Sequence, residues 1–232
     1  MVIKGYLQTS VIEWPGKISS VVFTAGCNFR CSFCYNSGLV DPNRRAELQE
    51  ISEESVIEDL LKRKKWIDAL VVTGGEPCLQ PDLPEFLKII KSMGFLTMIE
   101  TNGSRPETIA KLLNDKIIDR IAMDIKGPLD QYTEITKIEN GEWIMDKIKE
   151  SIKIILNSGI EYEFRTTVVP GIHDVSVIQD MLKDLKQLSN GAMKQLHWTL
   201  QNFQPNNCLD PKFNKLKPFT EEEFEELQKI IN

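Results

Sequence analysis

Three cysteines within eight residues are the clearest candidates for chemistry in this sequence. Cys27, Cys31 and Cys34 form a CxxxCxxC motif in the segment CNFRCSFC. Thiolate sulfur is a soft ligand that binds zinc, Cu(I) or iron-sulfur clusters, and such crowding in a long chain indicates metal binding in a reducing compartment. A structural zinc ion needs a fourth ligand, and no further cysteine or histidine stands nearby in the sequence. The preferred interpretation is an iron-sulfur cluster bound by three thiolates, with one iron left without a protein ligand. The alternatives are a zinc ion with a distant fourth ligand and three cysteines that bind no metal.

The elements that must position this motif follow from the alternation of β-branched runs with longer amphipathic stretches. Strands are predicted over residues 18–25, 69–73, 95–101, 120–125, 162–169 and 196–203. Helices are predicted to begin at Ser52 and to cover 82–93, 105–114, 141–158, 175–188 and 220–231. The remaining long segments, 32–50 and 206–219, are predicted to be irregular, and the second is expected to be a closing loop.

Six strand-helix units imply parallel strands joined by right-handed crossovers. The alternation of strand and helix patterns alone is compatible with either an open doubly wound sheet or an incomplete barrel. In both architectures ligands bind at the carboxyl ends of the strands, so the residues directly after each strand matter most. These are Gly26-Cys27, Gly74-Gly75-Glu76-Pro77, Asn102-Gly103, Lys126-Gly127, Pro170-Gly171 and Gln204-Pro205.

Length and composition are those of an ordinary globular protein. The 232 residues are 41% hydrophobic and 27% charged, which predicts one domain over 1–232 with a core of about 18–204 and a C-terminal loop and helix over 205–232. The net charge of -6 argues against a nucleic-acid partner. No apolar run suggests a membrane span and the N-terminus does not resemble a signal peptide, so a cytoplasmic location is expected.

The segment CNFRCSFCYN, with Tyr35 after the third cysteine, resembles the signature of the radical S-adenosylmethionine (SAM) superfamily. The resemblance extends through GGEP at 74–77, TNG at 101–103, MDIK at 123–126 and FRTTVVPG at 164–171. It implies an α/β fold, a partial (β/α)6 TIM-like barrel. It also implies a 4Fe-4S cluster held by Cys27, Cys31 and Cys34, with SAM on the open iron. One electron then cleaves SAM to methionine and a 5'-deoxyadenosyl radical that abstracts hydrogen.

The resemblance also implies which residues contact SAM. Phe33 and Tyr35 would border the adenine, Gly74, Gly75 and Glu76 would face the methionyl ammonium, and Thr101 and Asn102 would reach the ribose or methionyl end. Asp124 and Lys126 alternate along a strand and so point to one side, where the lysine suits a carboxylate and the aspartate a ribose hydroxyl or an ammonium. Arg165 is placed similarly. The alternatives are core packing for the aromatic rings, Asn-Gly turn chemistry, an Asp124–Lys126 salt bridge, and an Arg165 pair with Glu161 or Glu163.

Finer features resemble the activating proteins of anaerobic ribonucleoside-triphosphate reductase. They are the opening QTSVIEWPGKISSVVFTAG, VVPGIHD and LQNFQPNNCLDP. This likeness implies that the radical is directed at a glycine in a loop of that reductase, with flavodoxin or ferredoxin as the electron donor. Tyr35 stands where many relatives have histidine, and Gln204 stands where a basic residue is expected. The alternatives are a small-molecule enzyme such as 7-carboxy-7-deazaguanine synthase, often with magnesium, and a non-enzymatic zinc or redox-sensing thiolate protein.

Four other residues with reactive side chains lie outside these motifs. Cys78 follows GGEP and is expected to be an inert buried thiol, whereas Cys208 in the Asn-rich loop is expected at the surface. His173 and His197 have no partner motif and are expected to be turn and strand residues.

Overall fold

The computed structural model describes residues 1–138, 141–189 and 196–231. Seven strands form one mostly parallel sheet in which the strand order follows the chain. The strands are β1 (Ile3–Ser10), β2 (Ser19–Thr24), β3 (Ala69–Gly74), β4 (Leu96–Thr101), β5 (Arg120–Asp124), β6 (Glu161–Val168) and β7 (Trp198–Asn202). The α-helices are α1 (Ser37–Val40), α2 (Pro42–Glu47), α3 (Glu53–Lys62), α4 (Leu83–Ser92), α5 (Pro106–Asn114), α6 (Tyr132–Thr136), α7 (Ile144–Leu156), α8 (Val175–Leu188) and α9 (Glu221–Ile231).

The predicted alternation of strands and helices is confirmed. All six predicted strands are present as β2 to β7, and β2–β3, β3–β4 and β6–β7 pair in parallel as expected. The count of six was wrong, because β1 adds a strand antiparallel to β2. Its sequence, IKGYLQTS, contains a glycine and several polar residues, and therefore lacks the apolar run that marked the parallel strands.

The segment 32–50 was predicted to be irregular. This was wrong in part, because it contains α1 and α2. Asp41 accepts hydrogen bonds from the N–H groups of Asn43 and Arg44 and so caps α2, while Pro42 occupies its first turn. A single 3₁₀ turn, Pro211–Lys215, interrupts the segment 206–219.

The chain divides into two compact units. The first comprises 1–27, 38–101 and 107–122. Its sheet residues point alternately to two faces, and one face buries a cluster around Trp14. The cluster consists of Trp14, Val21, Ala69, Val71, Met98 and Ala122. Trp14 is therefore a core residue.

The second unit comprises 28–37, 102–106 and 123–232. In β6 the side chains of Tyr162, Phe164, Thr166 and Val168 are buried at alternate positions. The helix α7 buries Ile144, Ile148, Ile152 and Ile155 at three- and four-residue spacing, which is the stripe of an amphipathic helix. The single domain expected from length remains a prediction. Among the residues that the structure describes, no helix is long and apolar enough to cross a membrane.

Candidate functional site

The cysteine motif lies in a loop that follows β2 and contains neither helix nor strand. Cys27 ends a segment of the first unit, and Cys31 and Cys34 belong to the second. The N–H of Cys34 donates to the carbonyl of Cys31 at 3.0 Å, and the N–H of Arg30 donates to the carbonyl of Thr136 at 2.8 Å. All three cysteines are thiols outside any disulfide, and burial raises the pKa of Cys34.

In the second unit the C-terminal loop holds the later half of this cysteine loop. The N–H groups of Leu209 and Asp210 donate to the carbonyls of Cys34 and Ser32, both at 2.9 Å. The hydroxyl of Ser37 donates to the carbonyl of Asn207 at 2.6 Å. These contacts agree with the closing role expected of residues 206–219.

The two aromatic residues predicted to border adenine differ in their surroundings. Phe33 is buried, and its ring centroid lies 6.5 Å from that of Phe213 in a tilted arrangement. Tyr35 is 56% exposed. The Phe33 ring thus takes part in packing, and a contact of either ring with adenine stays a prediction.

The Gly-Gly pair that ends β3 is required by the main chain of the first unit. Gly74 has φ +114°, and a Cβ there would lie 2.5 Å from the backbone nitrogen of Thr24. A Cβ on Gly75 would lie 2.0 Å from the carbonyl oxygen of Gly26, the residue before Cys27. The N–H of Glu76 donates to that same oxygen at 2.8 Å. Two glycines are needed here for close backbone approach, whichever ligand the strand end binds.

Glu76 and Thr101, at the ends of neighbouring strands, are hydrogen-bonded to each other. The Glu76 side chain is buried, and its Oε1 accepts from the N–H of Cys78 at 2.9 Å and from the hydroxyl of Thr101 at 2.7 Å. These charge-assisted hydrogen bonds offset part of the cost of burying a carboxylate. The Cys78 thiol is buried as expected, and burial together with Glu76 raises its pKa well above the ordinary value.

Asn102 takes part in a network of three side chains in the second unit. Its amide nitrogen donates to Oδ1 of Asn28 at 3.0 Å, and its Oδ1 accepts from the N–H of Ser104 at 2.9 Å. Asn28 in turn donates to the hydroxyl of Ser104 at 2.9 Å. Asn28 lies within the cysteine motif, so this network ties the start of the second unit's cysteine segment to the turn after β4. Neither Asn28 nor Ser104 was predicted from the sequence to belong to the site.

Asp124 and Lys126 form the salt bridge that was left open as an alternative. The Nζ of Lys126 lies 2.7 Å from Oδ2 of Asp124, and the lysine side chain is only 17% exposed. Although burial alone would lower the pKa of Lys126, the Asp124 carboxylate and the negative charge of a Cys31 thiolate raise it above the ordinary value. The Lys126 ammonium therefore stays charged, and it interacts electrostatically with Cys31 of the cysteine motif.

Two residues that sequence reasoning did not assign to the site hold the main chain at Lys126. The hydroxyl of Tyr132 lies 3.2 Å from the N–H of Lys126 and 3.2 Å from the carbonyl of Asp124. The Nε2 of His173 lies 3.1 Å from the carbonyl of Lys126. His173 lies directly after the turn at 170–172 rather than within it, and it is almost fully buried.

The other predicted or uncertain residues have simpler surroundings. Arg165 pairs with Glu163 at 2.9 Å, which was the alternative to a cofactor contact, and that contact stays a prediction. Cys208 is fully buried, so the expectation of a surface thiol was wrong. Its N–H donates to Oδ1 of Asn214 at 2.9 Å, which folds the Asn-rich loop over the thiol. His197 lies just before β7, so the expectation of a strand residue was wrong, and it contacts Tyr162 edge to face.

Comparison with known proteins identifies the family to which this fold and motif belong. The family model of the radical SAM superfamily matches residues 21–205, which is most of the chain. The chain therefore belongs to the radical SAM superfamily and is an enzyme. Members of this superfamily use a 4Fe-4S cluster and SAM, as the sequence motif implied.

Two relatives match nearly the whole chain. A putative glycyl-radical enzyme activating enzyme of Methanocaldococcus jannaschii is 35% identical over 230 residues, 98% of this chain and 90% of that protein. The pyruvate formate-lyase-activating enzyme of Clostridium pasteurianum is 28% identical over 232 residues, 95% of this chain and 92% of that protein.

Solved structures support the fold. A domain of pyruvate-formate lyase-activating enzyme from Bacteroides vulgatus superposes with a TM-score of 0.54 at 19% identity, over 70% of this chain and 92% of that one. The α/β fold of radical SAM type expected from the sequence is confirmed.

Proposed function

We propose that this radical SAM enzyme generates a glycyl radical on a partner enzyme, and that the partner is an anaerobic ribonucleoside-triphosphate reductase. The observation that carries the first step is the full-length relationship to a glycyl-radical enzyme activating enzyme at 35% identity. The reductase as target is supported by the resemblance of the segment before the cysteines and of VVPGIHD.

The cluster ligands in this proposal are Cys27, Cys31 and Cys34. The donor chemistry fits an iron-sulfur cluster, because all three residues are thiols outside any disulfide on irregular backbone, and thiolate sulfur is the usual ligand of such clusters. The nearby Lys126 ammonium stabilises negative charge on Cys31 and Cys34. When bound, the reduced cluster supplies the electron that cleaves SAM, and the resulting 5'-deoxyadenosyl radical removes the α-hydrogen of a glycine.

The residues of the chain would bind and orient SAM around that cluster. Lys126 would bind the methionyl carboxylate, and Asp124 would receive a ribose hydroxyl or the ammonium. Glu76, already held by Thr101 and the N–H of Cys78, presents a fixed carboxylate suited to the ammonium. Phe33, Tyr35, Gly74, Gly75, Asn102 and Arg165 complete the proposed contacts. A flavodoxin or ferredoxin would supply the electron.

The test is anaerobic reconstitution with iron and sulfide, reduction with dithionite, and addition of SAM with and without a purified anaerobic ribonucleoside-triphosphate reductase. We expect 5'-deoxyadenosine as a product and a glycyl doublet in the EPR spectrum of the reductase. A reductase variant with alanine at the radical glycine is the matched control and should give no doublet.

Each other outcome contradicts a defined part of the proposal. An EPR doublet in a pyruvate formate-lyase but not in the reductase would support the activating function and show that the target is a different glycyl-radical enzyme. Cleavage of SAM without any doublet would indicate a small-molecule radical enzyme such as 7-carboxy-7-deazaguanine synthase. Absence of cleavage by cluster-loaded protein would indicate a scaffold or redox sensor.

A further inference from the structure

The main chain at Lys126 is held by a side chain on each side, although the residue lies beyond the end of β5. The N–H of Lys126 faces the hydroxyl of Tyr132, and its carbonyl faces the imidazole of His173. A lysine at a strand end is ordinarily free to change its backbone angles, because the sheet no longer fixes them. Here both peptide groups of the residue have a buried side-chain partner.

Tyr132 makes two of these contacts with a single atom. Its hydroxyl accepts from the N–H of Lys126 and donates to the carbonyl of Asp124, each at 3.2 Å. The residue is fully buried, and its ring packs edge to face on Phe29, with centroids 6.3 Å apart. Because Phe29 lies between Cys27 and Cys31, Tyr132 joins the cysteine motif of the second unit to the residues at the end of β5.

The contacts of His173 define which ring nitrogen carries the proton. The N–H of Val169 donates to Nδ1 at 3.0 Å, so Nδ1 must be unprotonated. The proton of the neutral ring is then on Nε2, which donates to the carbonyl of Lys126 at 3.1 Å. The imidazole thus links the turn after β6 to the residue whose ammonium lies near the cysteines.

We propose that Tyr132 and His173 are positioning residues that fix the backbone of Lys126 and thereby direct its ammonium to the carboxylate of SAM. This inference rests on the SAM contact of Lys126 in the proposed function. The Asp124 salt bridge alone would not achieve this, since Asp124 is 44% exposed and such pairs are weakened by solvent. Fixing the peptide groups on both sides of Lys126 limits the directions that its side chain can take.

The sharpest test uses two conservative substitutions of His173. The amide nitrogen of glutamine can occupy the position of Nε2, so His173→Gln keeps a donor for the Lys126 carbonyl and loses the acceptor for Val169. The amide oxygen of asparagine can occupy the position of Nδ1, so His173→Asn keeps that acceptor and loses the donor. Each variant removes one hydrogen bond of the same residue, and only His173→Asn breaks the link to Lys126.

The measurement is SAM affinity of the reconstituted protein, followed by the change that SAM causes in the EPR spectrum of the reduced cluster. We expect His173→Asn to raise the Kd for SAM about tenfold, the factor that corresponds to about 1.4 kcal/mol. We expect His173→Gln to restore most of the affinity. Iron content and Tm are measured in parallel, and both variants should lose similar thermal stability.

A second substitution tests the other side of the lysine. Tyr132→Phe removes only the hydroxyl and should also raise the Kd for SAM about tenfold. The matched control is Tyr162→Phe in the same unit, a buried tyrosine whose phenol interacts with the main chain of His197. The control should leave the Kd within twofold of the unsubstituted protein.

The outcomes separate this inference from the proposed function. Equal affinities of His173→Asn and His173→Gln, or an unchanged Kd in Tyr132→Phe, would overturn the positioning role even if a glycyl radical forms. Loss of affinity in the expected pattern would support it even if no glycyl radical forms on the reductase, because SAM binding is measured without that partner. A Kd changed equally in Tyr132→Phe and Tyr162→Phe would also overturn it.

Discussion

The hydroxyl of Thr101, at the end of β4, donates to Oε1 of Glu76, just beyond the end of β3, at 2.7 Å, and both side chains are buried. Two adjacent parallel strands thus present their terminal polar residues to each other. The carboxylate is fixed before any ligand arrives, so no side-chain entropy would be lost from Glu76 on binding an ammonium group.

Replacing Thr101 by valine should reveal the energy of this contact. Thr101→Val removes the hydroxyl while conserving shape, and it leaves the buried Glu76 carboxylate with one hydrogen bond fewer. We expect a loss of about 2 kcal/mol in the free energy of unfolding, measured by chemical denaturation. Thr108→Val is the control, because the Thr108 hydroxyl makes only a 3.4 Å contact with the carbonyl of Cys78. Equal losses in the two variants would contradict the prediction.

Gly75 should tolerate no side chain. A methyl group there would overlap the carbonyl oxygen of Gly26 at 2.0 Å, and main chain cannot move aside as a flexible side chain can. We expect Gly75→Ala to destabilise the protein by about 3 kcal/mol or more. Gly16→Ala is the comparison, because Gly16 has φ +77° but nothing within 4 Å of its Cβ position, so only strain of about 1–2 kcal/mol applies. If Gly16→Ala proved the more destabilising change, steric overlap at Gly75 would be refuted.

Trp14 should contribute strongly to the stability of the first unit. It is 4% exposed and packs with Val21, Val71 and Met98 on one face of the sheet. Trp14→Ala should lower the free energy of unfolding by about 3–5 kcal/mol. Trp66, which is 74% exposed, provides a control of the same residue type, and Trp66→Ala should change it by less than about 0.5 kcal/mol. Similar midpoints for the two variants in a denaturant titration would disprove the assignment of Trp14 to the core.

Much of the fold could be predicted because buried parallel strands leave a sequence signature. Runs such as ALVVT and RIAMDI are rich in apolar residues and coincide with β3 and β5. The strand β1 has no such run, since it pairs antiparallel and several of its residues are exposed. The helix α2 could have been found from Asp41-Pro42, a capping residue followed by a proline at the first helical position.

The residues of the candidate site could likewise be predicted only in part. The cysteines and the residues at strand ends were identifiable because their type and position in the chain point to chemistry. Tyr132 and His173 were not, because their hydrogen bonds are to main-chain atoms of Lys126, six and 47 residues away. A main-chain partner leaves no mark in the sequence, so a lone tyrosine or histidine gives no sign of its role. The same holds for Asn28 and Ser104.

The five cysteines should divide into two groups when replaced singly by alanine. Cys27→Ala, Cys31→Ala and Cys34→Ala should each abolish the iron-sulfur absorbance and SAM cleavage, because each would remove one proposed ligand. Cys78→Ala and Cys208→Ala should retain bound iron, since these buried thiols lie outside the motif. Iron and sulfide analysis after anaerobic reconstitution distinguishes the groups. Zinc in place of iron and sulfide would instead establish a structural metal site.

His173 should make stability depend on pH in a defined direction. Burial lowers its pKa from 6.5 to about 4, while the hydrogen bond to the Lys126 carbonyl opposes that shift. The folded protein therefore favours the neutral ring, so this contribution to stability is fully present above pH 6.5 and is lost as pH falls toward 4. A shift of this size corresponds to about 3 kcal/mol over that range.

The measurement is an NMR titration of protein labelled with 15N-histidine, combined with denaturation at pH 7.5 and pH 5. The chain has two histidines, so the His173 ring signals are assigned by their absence from His173→Gln. They should show the Nε2-protonated neutral tautomer down to about pH 4. Between the two pH values the unsubstituted protein should lose about 2 kcal/mol more stability than His173→Gln, which has no imidazole to titrate at this position. An imidazole that protonates near pH 6.5, or equal pH dependence of the two proteins, would show that the ring is not held in the folded protein as a buried neutral acceptor for the N–H of Val169.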